Sequence, residues 1–301
     1  MIESRGRRII ELAFRWALLM ALAVAAAEAR AQDKSFLWQV QSSKSNGSIY
    51  ILGSIHFLKK ENYPLKKTIE KVFTGAEKLV LEIDLKDADS GAVQRMTLEK
   101  GLQRNGKTLD QNVSPETYDL AQKRAAELGI DIRALSPLKP WVVALTLTAL
   151  QLQKLGFDPK HGIDRYLAER AIKSGKAIAG LESAAFQIGL IDDLSESDQE
   201  SMLRQSLKEM DLLDKGLEQI VRAWSAGDVQ SLEALLLNSM REYPAVYQRI
   251  IVDRNRRWLP EIEKMIEQGE SALIVVGAGH LVGRDGVVEL LKARGYTLEQ
   301  M

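Results

Sequence analysis

Residues 49–83 read IYILGSIHFLKKENYPLKKTIEKVFTGAEKLVLEI, and the order of elements in that stretch decides the fold. Ile49-Tyr50-Ile51-Leu52 is a short β-rich run that ends in Gly53-Ser54-Ile55-His56. Pro64 opens a helical stretch to about Thr74. Lys78 to Ile83 (KLVLEI) is then a second apolar run of strand length, with Glu82 and Asp84 at its end. Two parallel strands need a crossover between them, and a helix is the usual one. Strand, helix and strand in this order therefore predict an α/β fold with a parallel sheet.

Working outward, Phe36 to Gln41 is another β-rich run, and Asn46-Gly47 separates it from the Ile49 run. Both residues of that pair tolerate positive φ, which predicts a hairpin. From Asp89 to Gln153 the pattern is helical, with Ser114-Pro115 a good helix start and Trp141 to Leu152 apolar enough for a buried helix. A helix from about Ile163 to Ser174 leads to Lys176–Leu181 (KAIAGL), read as a third central strand with Glu182 at its end. Ser195 to Arg241 is charged and helical, with leucines at three- and four-residue intervals, and a long helix follows from about Ala245 to Glu267. Ser271–Val276 (SALIVV) is a strand running into Gly277-Ala278-Gly279-His280, and a helix through Ala293 and a strand at Tyr296–Glu299 close the chain. The expected architecture is one domain over residues 32–301. Its mixed, mostly parallel central sheet is formed by both chain ends, with a large helical insertion at about 89–250.

With 41 basic and 41 acidic residues the formal charge is zero, so no electrostatic footprint for nucleic acid is present. The absence of cysteine excludes disulfides, thiolate ligands and cysteine nucleophiles. Arg5, Arg7, Arg8 and Arg15 precede an apolar run from Trp16 to Ala27, and Ala29-Arg30-Ala31 fits an A-x-A cleavage site before Gln32. The run is shorter than the roughly 20 residues that span a bilayer. Residues 1–31 are thus read as a cleaved signal peptide, and the mature chain as periplasmic or secreted. An uncleaved anchor is the alternative.

Of three histidines, His56 and His280 share one context, an apolar strand entering G-x-x-H. Catalytic groups of open parallel sheets gather at the carboxyl ends of strands, where glycines let the backbone turn tightly. One such histidine is more often structural; a matched pair favours a shared site. Glu82 and Glu182 hold the same strand-end position. Two imidazoles with one or two carboxylates form a ligand set for a divalent transition metal. Glu182 also suits a helix N-terminus, and His161, in a turn, is read as structural. In Asp253-Arg254-Asn255-Arg256-Arg257 most charge belongs in solvent. Arg254 is the member expected to face the crevice and bind a carboxylate or a developing oxyanion.

Several stretches together resemble the TraB/GumN family, related to the Tiki metalloproteases and the erythromycin-esterase/ChaN-like superfamily. They are GSIH at 53–56, VLEID around Glu82, GFDPKHGID at 156–164 and GLE at 180–182 with Gln187 after it. DRN at 253–255 and GAGHLVGRDGVVELLKARGY at 277–296 complete the set, the last being the most specific. The resemblance implies an α/β fold with inserted helices and a site containing both G-x-x-H histidines and Glu82. Through the Tiki branch it implies metal-dependent proteolysis.

The expected function is a metal-dependent hydrolase, a peptidase of the periplasm, taking a peptide or small-molecule substrate. His56, Glu82 and His280 would bind zinc, manganese or cobalt; Glu182 would ligate it or act as general base, and Arg254 would stabilise the oxyanion. The alternatives are a non-catalytic binding protein and a metal-free His/Glu hydrolase of esterase type. The leader reading predicts that the exported chain, sequenced from its N-terminus, begins at Gln32. A first residue of Met1 would instead establish the uncleaved anchor.

Overall fold

The computed structural model describes residues 34–41, 47–84, 91–104 and 106–301. The leader and Asn46 lie outside them. Six strands form one mixed sheet in the order β4-β3-β5-β2-β1-β6. They are β1 (Leu37–Gln41), β2 (Ile49–Ser54), β3 (Lys78–Ile83), β4 (Ala177–Glu182), β5 (Ala272–Gly277) and β6 (Thr297–Gln300). β1 and β2 pair antiparallel with Val40 opposite Ile49, as a hairpin requires. β2, β5, β3 and β4 run parallel, and β6 pairs antiparallel with β1. The C-terminal strand β5 is wedged between the N-terminal strands β2 and β3, so both chain ends build the centre of the sheet. Residues Ala272 to Val276 are all buried, as expected of a parallel strand covered on both faces.

The helices are α1 (Lys67–Gly75), α2 (Ala92–Gly101), α3 (Pro115–Glu127), α4 (Pro140–Lys154), α5 (Ile163–Lys173), α6 (Ala184–Asp192), α7 (Glu196–Glu209), α8 (Leu213–Ala226), α9 (Val229–Arg241), α10 (Asp253–Glu267) and α11 (Val287–Ala293). Ser114 caps α3 by accepting from the Thr117 N–H, with Pro115 in the first turn. Pro140 opens α4 in the same way, and Trp141, Val143 and Leu147 bury its face.

The helical insertion at about 89–250 is divided between two cores. β4 and α5 fall inside it and belong to the sheet layer. Helices α3, α4 and α7 close over a small core of their own that includes Leu109, Ala125, Leu147 and Leu203. Ala223 and Trp224 of α8 and Leu232 and Leu237 of α9 join the main core instead. β4 is also not central: it is the outer strand, and its small side chains (AIAGL) are exposed or half-buried. Composition alone could not separate an edge from a centre here, because Ala177, Ala179 and Gly180 fit either.

The contact that ties the inserted helices to the strand ends is at Gly53. Its carbonyl accepts the Trp224 indole N–H at 2.6 Å, and its N–H donates to Phe36 O at 3.1 Å. A Cβ placed on Gly53 would run into the fully buried Phe36 ring. Gly53→Ala is therefore an overpacking substitution, expected to cost about 1–3 kcal/mol in chemical denaturation. An unchanged midpoint would mean that the Phe36 ring has room to rotate away.

Candidate active site

Register fixes where the functional residues emerge. Ser54 pairs with Gly277 and Ile83 with Glu182, so four parallel strands end at one level. The two G-x-x-H loops leave from adjacent strands at that level. Gly277 lies at their meeting point. A Cβ there would be 3.2 Å from Glu82 Oε1, 3.5 Å from His56 Nε2 and 3.6 Å from His280 Cδ2. The three groups singled out as ligands thus surround one glycine, and only a residue without a side chain leaves the space between them open.

Glu82 is held on both oxygens. Oε1 accepts the Gly277 N–H at 2.6 Å, while Oε2 accepts Arg254 Nη2 at 2.5 Å and Gln187 Nε2 at 3.0 Å. Burial alone would raise this carboxyl. Arg254, His56 and the Gly277 N–H outweigh that and hold it down at about 2.

Arg254 follows a π-helical segment, Gln248–Val252, that runs into α10. Such segments re-aim side chains and are frequent at functional sites. The guanidinium is buried and donates Nε at 2.9 Å and Nη2 at 2.6 Å to Glu182 Oε1, and its Nη1 lies 2.9 Å from His280 Nε2. One turn on, Trp258 lies 4.8 Å from the guanidinium and donates its indole N–H to Glu182 Oε2 at 2.9 Å. Gln187 Nε2 also reaches Glu182 Oε1, at 2.8 Å. Glu182 is 1% exposed, and both of its oxygens are engaged. Arg256 and Arg257 of the same run are exposed, as solvated charge should be.

The tautomer of His280 can be deduced. Asn255 Nδ2 donates to two backbone carbonyls, His280 O at 3.3 Å and Asp285 O at 2.7 Å. Its Oδ1 must then be the acceptor for His280 Nδ1–H at 2.7 Å. Nε2 therefore carries a lone pair. Burial pushes this imidazole down to about 3, so it is neutral at physiological pH.

His56 differs, with 55% of its side chain exposed. Its Nδ1 lies 2.9 Å from Asp164 Oδ1, and that carboxylate raises the imidazole to about 9 despite the loss of solvation. Asp164 is placed by close backbone contact. The Ile163 N–H donates to Ile55 O at 3.1 Å, and a Cβ on Gly162 would collide with the His56 carbonyl. A cavity of about 310 Å³ opens beside these groups, walled by Ser54, Phe57, Leu81, Ile83 and Val275 together with His56, Glu82, Asp164 and Gln187.

All five residues expected to carry chemistry, His56, Glu82, Glu182, Arg254 and His280, meet in one constellation. His161 stands apart, and its backbone carbonyl accepts the Tyr63 hydroxyl at 2.6 Å. Sequence reasoning gave no role to Asp164, Gln187, Asn255 or Trp258. Asp164, Gln187 and Asn255 fall within the quoted motifs, whereas Trp258, outside them all, had only its place four residues after Arg254 on the same helix face. Among the described residues no group of three or more histidine, aspartate or glutamate side chains is arranged to hold a metal ion.

A family model described as the TraB/PrgY/gumN family matches residues 36–300. The chain belongs to the TraB/PrgY/gumN family. The Escherichia coli protein named "Uncharacterized protein YbaP" is 26% identical over 247 residues, 82% of this chain and 89% of that one. A Treponema pallidum protein is 25% identical over 85% of this chain and 80% of its own length. "Metalloprotease TIKI homolog" of Nematostella vectensis is 23% identical over 88% of this chain and 66% of that protein. No solved structure matches.

The buried charges of this TraB/PrgY/gumN site make its stability pH-dependent in a definite direction. The folded Glu82 carboxyl lies below its ordinary 4.5, so the stability it adds is complete above that value and fades as pH falls towards 2. Arg254→Met would leave two buried carboxylates without their cation, a loss of about 3–5 kcal/mol. The pH range of the fade should also narrow in that variant, because without Arg254 the folded carboxyl moves back up towards its ordinary value. Adding Glu182→Gln should recover part of the loss, because the two residues share one network. Denaturation midpoints of the single and double variants across pH measure this; strict additivity would show that Glu182 and Arg254 act independently.

Proposed function

We propose that this chain is an exported hydrolase of peptide bonds that depends on a divalent transition metal held by His56, Glu82 and His280. The observation that carries this reading is the convergence of those three side chains on Gly277. Metal-ligating histidines are typically fixed through their other nitrogen by a carboxylate or carbonyl oxygen. Asp164 stands in that position for His56 and Asn255 for His280. The donor set, a carboxylate and two imidazole nitrogens, suits zinc, manganese or cobalt. Closing it asks His280 Nε2 to exchange Arg254 Nη1 for the metal. When bound, such an ion supplies Lewis acidity, polarising a carbonyl oxygen and acidifying water. Relatives named as metalloproteases support the assignment.

The chain's own residues then divide the work. Arg254 keeps Glu82 ionised and is the cation available to a developing oxyanion. Glu182, whose oxygens are both engaged, anchors Arg254 and Trp258 rather than meeting substrate as a base. Gln187 holds the two carboxylates in register with each other. The leader expected from the sequence supports a compartment outside the cytoplasm, and no helix among the described residues is long and apolar enough to cross a membrane.

One observation favours a second reading, a metal-free acid–base hydrolase. Arg254 Nη1 already faces the His280 lone pair. In that case His56, protonated beside Asp164, would be the acid.

Elemental analysis of the mature chain separates the two. Near-stoichiometric zinc, manganese or cobalt is expected, lost in both His56→Ala and His280→Ala. Binding must displace the proton from His56 Nε2, so affinity should climb steeply between about pH 5 and about pH 8 and level off above about 9. Equal affinity at the two lower values would rule out imidazole ligation. A chain that takes up no metal yet cleaves peptides in chelator would establish the acid–base reading.

A further inference from the structure

One polar side chain of the cavity has no partner. Ser54 is the last residue of β2, two before His56, and is 3% exposed. Its hydroxyl is buried and makes no hydrogen bond among the described residues. Buried hydroxyls normally find a partner, and alanine would fill the same place without an unsatisfied group. The walls beside it are of another kind. Leu81 and Val275 are cross-strand neighbours, and they meet Phe57 and Ile83 around the same space. Ser54, paired with Gly277, therefore stands where an apolar pocket meets the polar cradle of His56 and Glu82.

The volume, about 310 Å³, lies at the small end of ligand pockets, enough for one large side chain with its backbone group. An acidic side chain would meet Glu82 and Asp164, and a charged end carried past them would be desolvated against Leu81 and Val275.

Resting on the hydrolase reading above, we propose that this cavity is the specificity subsite for a peptide carrying an apolar side chain next to the cleaved bond. Leucine- or phenylalanine-sized groups fill the pocket formed by Phe57, Leu81, Ile83 and Val275. Rotation of the Ser54 side chain into the cavity lets its hydroxyl donate to the backbone carbonyl of that same residue. Ser54 is thus a binding residue, setting the depth at which the apolar side chain stops and the scissile bond meets Glu82 and His56.

The test uses the mature chain as purified with two readouts. The first is cleavage of a fluorogenic peptide set differing only in Leu, Phe, Asp or Lys at the position next to the bond. The second is ligand-observed NMR binding of N-acetyl-leucinamide and N-acetyl-aspartamide. Leucine and phenylalanine peptides are expected to lead, and the leucinamide to bind where the aspartamide does not. Ser54→Ala should weaken leucinamide and raise KM roughly threefold to tenfold, the loss of one hydrogen bond, while leaving the thermal midpoint unchanged or higher. Ser54→Thr keeps the hydroxyl and should restore most of it. Ile83→Trp, at the half-buried rim, should abolish leucinamide binding.

Equal affinity of Ser54→Ala and the parent would overturn the role of Ser54, as would a lower midpoint with unchanged KM. Cleavage without apolar preference would overturn the subsite and leave the hydrolase standing. Apolar binding with no turnover would do the reverse. Neither binding nor cleavage would remove both.

Discussion

The site depends on one guanidinium. Glu82 and Glu182 come from different strands, and their carboxylates approach closely enough for one Gln187 amide to reach both. Two buried like charges at that separation repel strongly in a low-dielectric interior. Arg254 makes the pair tolerable, because its planar fork serves both carboxylates while Nη1 meets a neutral imidazole. A lysine could not do this, since an ammonium lacks the fork that spans separate acceptors. Trp258 completes the arrangement by covering the guanidinium face and binding the remaining Glu182 oxygen.

That arrangement in turn needs the sheet to deliver residues far apart in sequence to one level. β5 accomplishes it by lying between β2 and β3, in register with both. Any slip of β5 along its neighbours would carry Gly277 away from Glu82 and His56. The ladders on both sides of β5 oppose such a slip, because a shift by one residue would break its pairing with β2 and β3 and repack Leu273, Ile274, Val275 and Val276 against new neighbours. The apolar run SALIVV therefore does more than fill the core; it holds the geometry of the site.

Much of this was legible beforehand. Strand, helix and strand over 49–83 announced the parallel sheet, and the repeated G-x-x-H context announced that His56 and His280 would meet, which Gly277 now shows. What escaped reading is equally particular. Asp164 touches His56 only because Gly162 lets a loop lie against the His56 carbonyl, a contact over 100 residues long that no local pattern encodes. Gln187 and Asn255 are ordinary amides whose roles exist only once their partners are in place. The π segment before Arg254 was hidden inside a continuous helical pattern, since its one extra residue per turn leaves the apolar periodicity nearly intact. The edge position of β4 was hidden by its small residues.

The balance of charge decides what the crevice attracts. Glu82, Glu182 and Asp164 supply three negative charges, Arg254 one positive, and His280 none, since burial keeps it neutral. His56 supplies a second positive charge only while protonated. The cluster is therefore negative in either state, and more so once His56 has lost its proton. A crevice with this balance draws cations and repels anions. Asp164, which raises the basicity of His56, thus sets the pH at which the cluster takes on its extra negative charge.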